Sequence, residues 1–170
     1  MAAVITRLPG RVWIFVGLAA CASCGGAAPA SSSGRDAPAS TATPARPAGY
    51  TGDLPPLPDV RFAAARPAPL LRAAYEFAGR HPEVLRYMPC FCGCERNGHG
   101  NNEDCFVTRR EASGKPQWNP HGVGCGICID VAQLASQMHR SGASVADIRK
   151  AVDTKYRAEY PTSTPTPHLH

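Results

Sequence analysis

Six cysteines crowd the second half of this 170-residue chain. Cys90, Cys92 and Cys94 alternate within the stretch MPCFCGCE, and Cys105, Cys125 and Cys128 follow. In extended backbone alternate side chains share a face, so the first three thiols can converge on one ion. Gly93 offers a different route, letting the backbone curl around such an ion. Cys125 and Cys128 are spaced as one turn at the predicted start of a helix, where amide groups and dipole favour thiolates. A C-x-x-C pair placed there is a metal clamp or a redox pair.

Two histidines add candidate ligands. His99 lies in the run Asn97-Gly98-His99-Gly100, and His121 precedes Cys125 by four residues. Six thiols and two imidazoles suffice for two tetrahedral zinc sites, and the same soft sulfur could hold a small Cu(I) cluster. Zinc or copper is the expected cofactor. Two other readings stay open. The six cysteines could form three structural disulfides, with each member of the early trio bridging to a distant partner, since cysteines two apart bridge each other only under strain. Alternatively Cys125 and Cys128 could exchange disulfides with other proteins. Met88 is expected as a buried helix-end residue. His139 shares a helical face with Cys128 but lies roughly 16 Å along the axis, too far to share its metal, and is expected at the surface.

The elements that position these groups are helical. Leu70, Ala74, Phe77 and Ala78 recur at helical spacing, with Gly79 as a stop and Pro82 opening a short second segment through Val84, Leu85 and Met88. Ile127, Val131, Leu134 and Met138 predict a buried stripe ending near Gly142. Ser144, with Asp147 three residues on, predicts the cap of a last helix whose apolar face is Val145, Ile148, Val152 and Tyr156. Residues 88–124 show no period and are too long for an ordinary loop, so something must hold them. The fold class expected is mainly α: a small helical domain over residues 67–160 with a Cys-rich irregular segment.

Outside that domain the composition changes. Residues 1–20 carry Arg7 and Arg11 ahead of an apolar run too short to span a bilayer, the pattern of a signal peptide. The run ends in Leu18-Ala19-Ala20-Cys21, which resembles a bacterial lipobox and makes Cys21 the expected lipidation site. Cys24 lacks the leucine three positions earlier. Acyl chains on Cys21 would anchor the protein on the extracytoplasmic face of the cell membrane. Residues 21–66 are rich in Ala, Pro and Ser and are expected to form a disordered tether, spanning roughly 35–40 Å as a coil. The tail 161–170, with His168 and His170, is expected to be disordered and solvated.

Charge excludes one class of partner. The net charge of +5 falls to +3 without the two signal arginines, and no basic stripe appears. Arg109 and Arg110 are read as a solvated pair, so no nucleic-acid partner is expected. Neither a nucleophile site with an oxyanion motif nor a phosphate loop is present, and the stretch 97–104 lacks the alternation of a calcium loop, so an enzyme is not expected.

Residues 88–95 resemble the signature of the PCYCGC motif lipoproteins, with Phe91 where that signature has tyrosine. The likeness continues through Gly98-His99, Asn102, Asp104-Cys105-Phe106, His121, Cys125, Cys128, Ile129-Asp130 and the helix around Ile148. The resemblance implies a cell-envelope lipoprotein with this cysteine framework and brings no established chemistry. The metal expectation comes from the residues alone, as does that of a membrane-protein partner in the envelope.

Overall fold

The computed structural model describes residues 49–169. The expectations for the signal peptide, for lipidation at Cys21 and for most of the tether lie outside the described residues. Five helices and one hairpin make up the described chain: α1 (Ala68–Arg80), α2 (Pro82–Leu85), β1 (Val107–Arg110), β2 (Pro116–Trp118), α3 (His121–Gly124), α4 (Gly126–Arg140) and α5 (Val145–Tyr156). The class is mainly α, with a Cys-rich irregular segment. No helix of the described residues is long and apolar enough to cross a membrane.

Helix α4 is the central element, with α1 and α5 packed against it. Its buried face is Cys128, Ile129, Val131, Ala132, Ala135 and Ser136. The predicted stripe is therefore rotated: Val131 is buried, while Ile127, Leu134 and Met138 only flank the core. Small side chains at 132, 135 and 136 let neighbouring helices approach closely, and periodicity computed on large residues alone misses them. Helix α5 follows expectation, with Ile148, Val152 and Tyr156 buried and Ser144 Oγ accepting from Asp147 N at 3.1 Å. Gly142, at φ 81°, ends the turn after α4 as foreseen.

Helix α1 continues through Gly79, which is no stop. A Cβ at this position would lie 2.8 Å from Leu54 and 2.9 Å from Trp118, so glycine lets these two side chains pack closely on the helix. The helix ends at His81 because Pro82 disfavours α conformation in the residue before it. Met88 is fully buried, as expected.

The irregular segment is held by more than sulfur. It contains two 3₁₀ turns, Cys94–Asn97 and Glu103–Cys105, and the antiparallel hairpin β1–β2, which pairs Val107 with Trp118 and Arg110 with Pro116. Arg110 is not solvated. Its guanidinium donates to Glu103 (2.9 Å), to the carbonyls of Ala78 (2.7 Å) and Gly79 (3.0 Å) at the end of α1, and to Gly114 O (3.1 Å). Carbonyls in the last helical turn have no partner within the helix, and Arg110 supplies one from the hairpin. Arg109 remains at the surface, bonded to Gln117.

Both flanks also pack on the domain. Pro55 O accepts from Trp118 Nε1 at 3.1 Å, Ala65 N donates to Val123 O at 2.9 Å, and Arg66 pairs with Asp130. In the tail, Thr164 exchanges two bonds with Cys90: Cys90 N donates to Thr164 Oγ1 and Thr164 N to Cys90 O, each at 2.9 Å. Thr164 and Thr166 are buried. A Pro- and Thr-rich composition therefore codes here for an ordered strap laid over the first cysteine of the motif, rather than the solvated end expected at residues 161–169.

Candidate metal centre

The stretch around Cys90, Cys92 and Cys94 curls. Gly93 has φ 77°, a left-handed conformation open to glycine at no steric cost, and it swings Cys94 into a 3₁₀ turn. Phe91, between the first two thiols, points away from them and stacks on Tyr156 of α5 at 5.5 Å between ring centroids. That aromatic contact, with the bonds of Thr164 to Cys90, fixes the motif against the helices. Cys105 is brought in by the second 3₁₀ turn, and Cys125 and Cys128 by the N-cap and first turn of α4. His121 opens α3 just before them.

All six sulfurs meet. Cys128 Sγ lies 2.9 Å from Cys125, 3.1 Å from Cys90, 3.2 Å from Cys105 and 3.6 Å from Cys92. Cys90 lies 3.2 Å from Cys92 and 3.6 Å from Cys105, and Cys94 lies 3.8 Å from Cys105. A tetrahedral zinc site with Zn–S near 2.3 Å has S···S edges of about 3.8 Å, so the cluster is compact enough for its sulfurs to share ions. Two sets have four donor atoms mutually within 4.8 Å: Cys92, His121, Cys125 and Cys128, and Cys94, His99, Cys105 and His121. Cys90 falls within the same distance of Cys92 and Cys94, and of Cys105 and Cys128. The groups could hold a metal, and every cysteine and histidine singled out as a ligand from the sequence is in or beside them.

The histidines differ in readiness. His121 Nε2 is buried with no hydrogen-bond partner, a lone pair or N–H in want of a neighbour. His99 Nδ1 is 3.4 Å from Cys105 Sγ, while its Nε2 is 3.3 Å from Asn119 Nδ2. Asn119 is fixed, because Nδ2 donates to Asp104 O at 2.8 Å and Oδ1 accepts from His121 N at 3.0 Å. It therefore presents an N–H to His99 Nε2, which leaves the ring proton on Nδ1, directed at the sulfur of Cys105. Coordination through Nδ1 requires that proton to move to Nε2 and the Asn119 contact to break. Asn119 thus touches both histidines, and no spacing rule in the sequence announces it.

The thiols compete for charge. Cys94 falls to about 3, first through its contact with Cys105 and then through those with Cys128 and Cys90. Cys92 is lowered in the same way by Cys105, Cys125, Cys128 and Cys90. Cys125 rises to about 11: the contact with Cys128 lowers it, but donation to Cys92 and burial outweigh that. Cys128 is raised by its contacts with Cys105 and its other sulfur neighbours, with burial adding. Contacts with Cys105 and Cys128 lower Cys90, and the contact with Cys128 lowers Cys105, but the remaining sulfur contacts and burial leave both raised. The cluster thus favours thiolate at Cys92 and Cys94 and disfavours it at the other four sulfurs.

One side of the cluster is open. Cys92, His121 and Cys125 line a pocket of about 650 Å³ together with Phe62, Pro120 and Ile127. Cys90, Cys94, Cys105 and Cys128 are buried behind it.

Comparison with known proteins adds the family and nothing further. No curated protein and no solved structure matches the chain. Residues 57–169, which include the whole cluster and the terminal strap, match the family described as "Protein of unknown function with PCYCGC motif". With its PCFCGC variant of the motif at the centre of that match, the chain belongs to the PCYCGC family.

Proposed function

We propose that the protein is a membrane-anchored, extracytoplasmic lipoprotein that binds zinc or Cu(I) in a two-ion thiolate cluster and handles that metal at the cell envelope. The single observation carrying the metal reading is the convergence of six sulfurs and two imidazoles from separate parts of the chain. Cys92, Cys125, Cys128 and His121 would hold the ion nearer the pocket. Cys90, Cys94 and Cys105, with His99 beside Cys105, would hold the inner one. A buried group of thiolates at such short range repels itself strongly in a low dielectric, and cations are what make full ionisation favourable.

The open side supports handling rather than pure storage, because an incoming donor or acceptor ligand can reach Cys92 and Cys125. Anchoring through Cys21 rests on the lipobox of the sequence, and it would place the pocket within reach of an envelope membrane protein. Thiol exchange is less favoured: Cys128 is buried, and the surroundings of Cys125 push its thiol up, whereas an attacking thiol must ionise.

Native mass spectrometry of protein exported by its host, before and after thiol alkylation under denaturing conditions, tests the reading. Bound zinc or copper with seven alkylatable thiols, the six of the cluster and Cys24, is the expected result. A metal-free protein lighter by six hydrogens would replace it with three disulfides. A single pair cycling in glutathione buffer would replace it with thiol exchange.

A further inference from the structure

A second group of ligand-type side chains lies away from the sulfur cluster, at the opposite end of α4. His81 sits between α1 and α2, Glu83 lies in the first turn of α2, and His139 lies in the last turn of α4. One donor atom from each falls within 4.8 Å of the others. The imidazole centroids of His81 and His139 are 4.5 Å apart, and Phe77 packs on both rings. His139 is thus half-buried in a triad, and not simply exposed as its spacing from Cys128 implied. We propose that His81, Glu83 and His139 form a separate site for a divalent transition ion of the zinc, nickel or copper(II) type.

Three observations carry it. Two imidazoles and one carboxylate are a donor set of borderline softness, suited to those ions and unlike the sulfur cluster. Glu83 Oε1 is 2.9 Å from His81 Nδ1, but its Oε2 is buried with no partner, an arrangement a cation would satisfy. The site also lies at the C-terminal ends of α1 and α4, whose helix dipoles favour positive charge. A pocket of about 170 Å³ beside both imidazoles, lined also by Glu76 and Ser136, leaves room for water in the remaining coordination positions.

Arg80 and Arg140 line the same pocket and oppose a cation. Their guanidinium groups are occupied, Arg80 with the carbonyls of Tyr50 and Gly52 and Arg140 with Ser136 Oγ. This opposition selects against magnesium and calcium, which imidazole binds poorly, and for ions whose bond to imidazole is strong. The inference does not depend on what the sulfur cluster binds, since eleven residues of α4 separate His139 from Cys128.

The test is a Zn²⁺ titration of the full chain followed by imidazole nitrogen–proton NMR. His81 and His139 signals should shift together along one saturable curve, distinct from that of His99 and His121. Glu83→Gln and His139→Gln should each weaken that curve at least about tenfold, as loss of one of three ligands does, and leave the response of His99 and His121 unchanged. Signals of His81 and His139 that stay fixed up to about 1 mM free Zn²⁺ overturn the proposal, because binding weaker than that is not a site. So does a response confined to His168 and His170, or one unaltered in both variants.

Discussion

Replacing Arg110 by Met removes one guanidinium and keeps most of the aliphatic stem. Glu103, whose side chain is 9% exposed, would lose its 2.9 Å partner and keep only Arg86 at 3.5 Å. Ala78 O at the end of α1 would lose its donor as well, and Gly79 O would keep only Tyr50 N at 3.4 Å. Removing one member of a buried ion pair costs about 3–5 kcal/mol, and the remaining arginine places this case near about 3 kcal/mol. That is a large share of the roughly 5–15 kcal/mol that holds a domain together. Urea denaturation of Arg110→Met, Glu103→Gln and the double variant measures it. Because Glu103→Gln removes the charge that Arg110→Met strands, the double variant should lose less than the sum of the singles by at least about 1 kcal/mol. Metal stoichiometry should be unchanged, since neither residue supplies a ligand. A single-variant loss below about 1 kcal/mol, or strict additivity, would refute the view that a buried charge ties the Cys-rich segment to α1.

Gly93→Ala forces a left-handed residue between Cys92 and Cys94 and should cost about 1–2 kcal/mol in thermal or chemical denaturation, with weaker metal retention against a chelator. Thr164→Val removes the acceptor for Cys90 N and should destabilise by about 1–3 kcal/mol, whereas a solvated tail predicts no change. Gly122→Ala places a methyl 2.6 Å from Phe106 and 2.8 Å from Cys105 O, so a loss of about 1–3 kcal/mol is expected, together with displacement of Cys105. Metal binding should release protons, because burial and sulfur contacts raise Cys90, Cys105, Cys125 and Cys128 and so favour their thiol forms until a cation binds. Affinity should therefore fall as pH falls, and calorimetry in buffers of different ionisation heat should show net proton release on loading.

What the sequence made legible followed from local rules. The Ser144 cap, the turn at Gly142 and the C-x-x-C at the start of α4 each depend on neighbours within four residues, and each is found where expected. The reason for Gly79 is tertiary: Leu54 and Trp118 lie against it, and no local pattern shows them. The hairpin escaped notice because strands of four and three residues offer too little alternation to register. Arg110 and Asn119 are single polar residues whose partners lie in other elements, so nothing in their spacing marks them. Thr164 was hidden by composition, since prolines and threonines that pair with a distant backbone look like those that do not. The eight candidate ligands were visible by type; their meeting in one place depends on Gly93, Phe91 and the strap acting together.

X-ray absorption at the metal edge of the exported, metal-bearing protein tests the sulfur cluster most directly. The expected spectrum has a first shell dominated by sulfur, at about 2.3 Å for zinc, with at most one light atom per ion. A first shell of nitrogen and oxygen alone, or sulfur absorption characteristic of disulfides with no metal present, would contradict it.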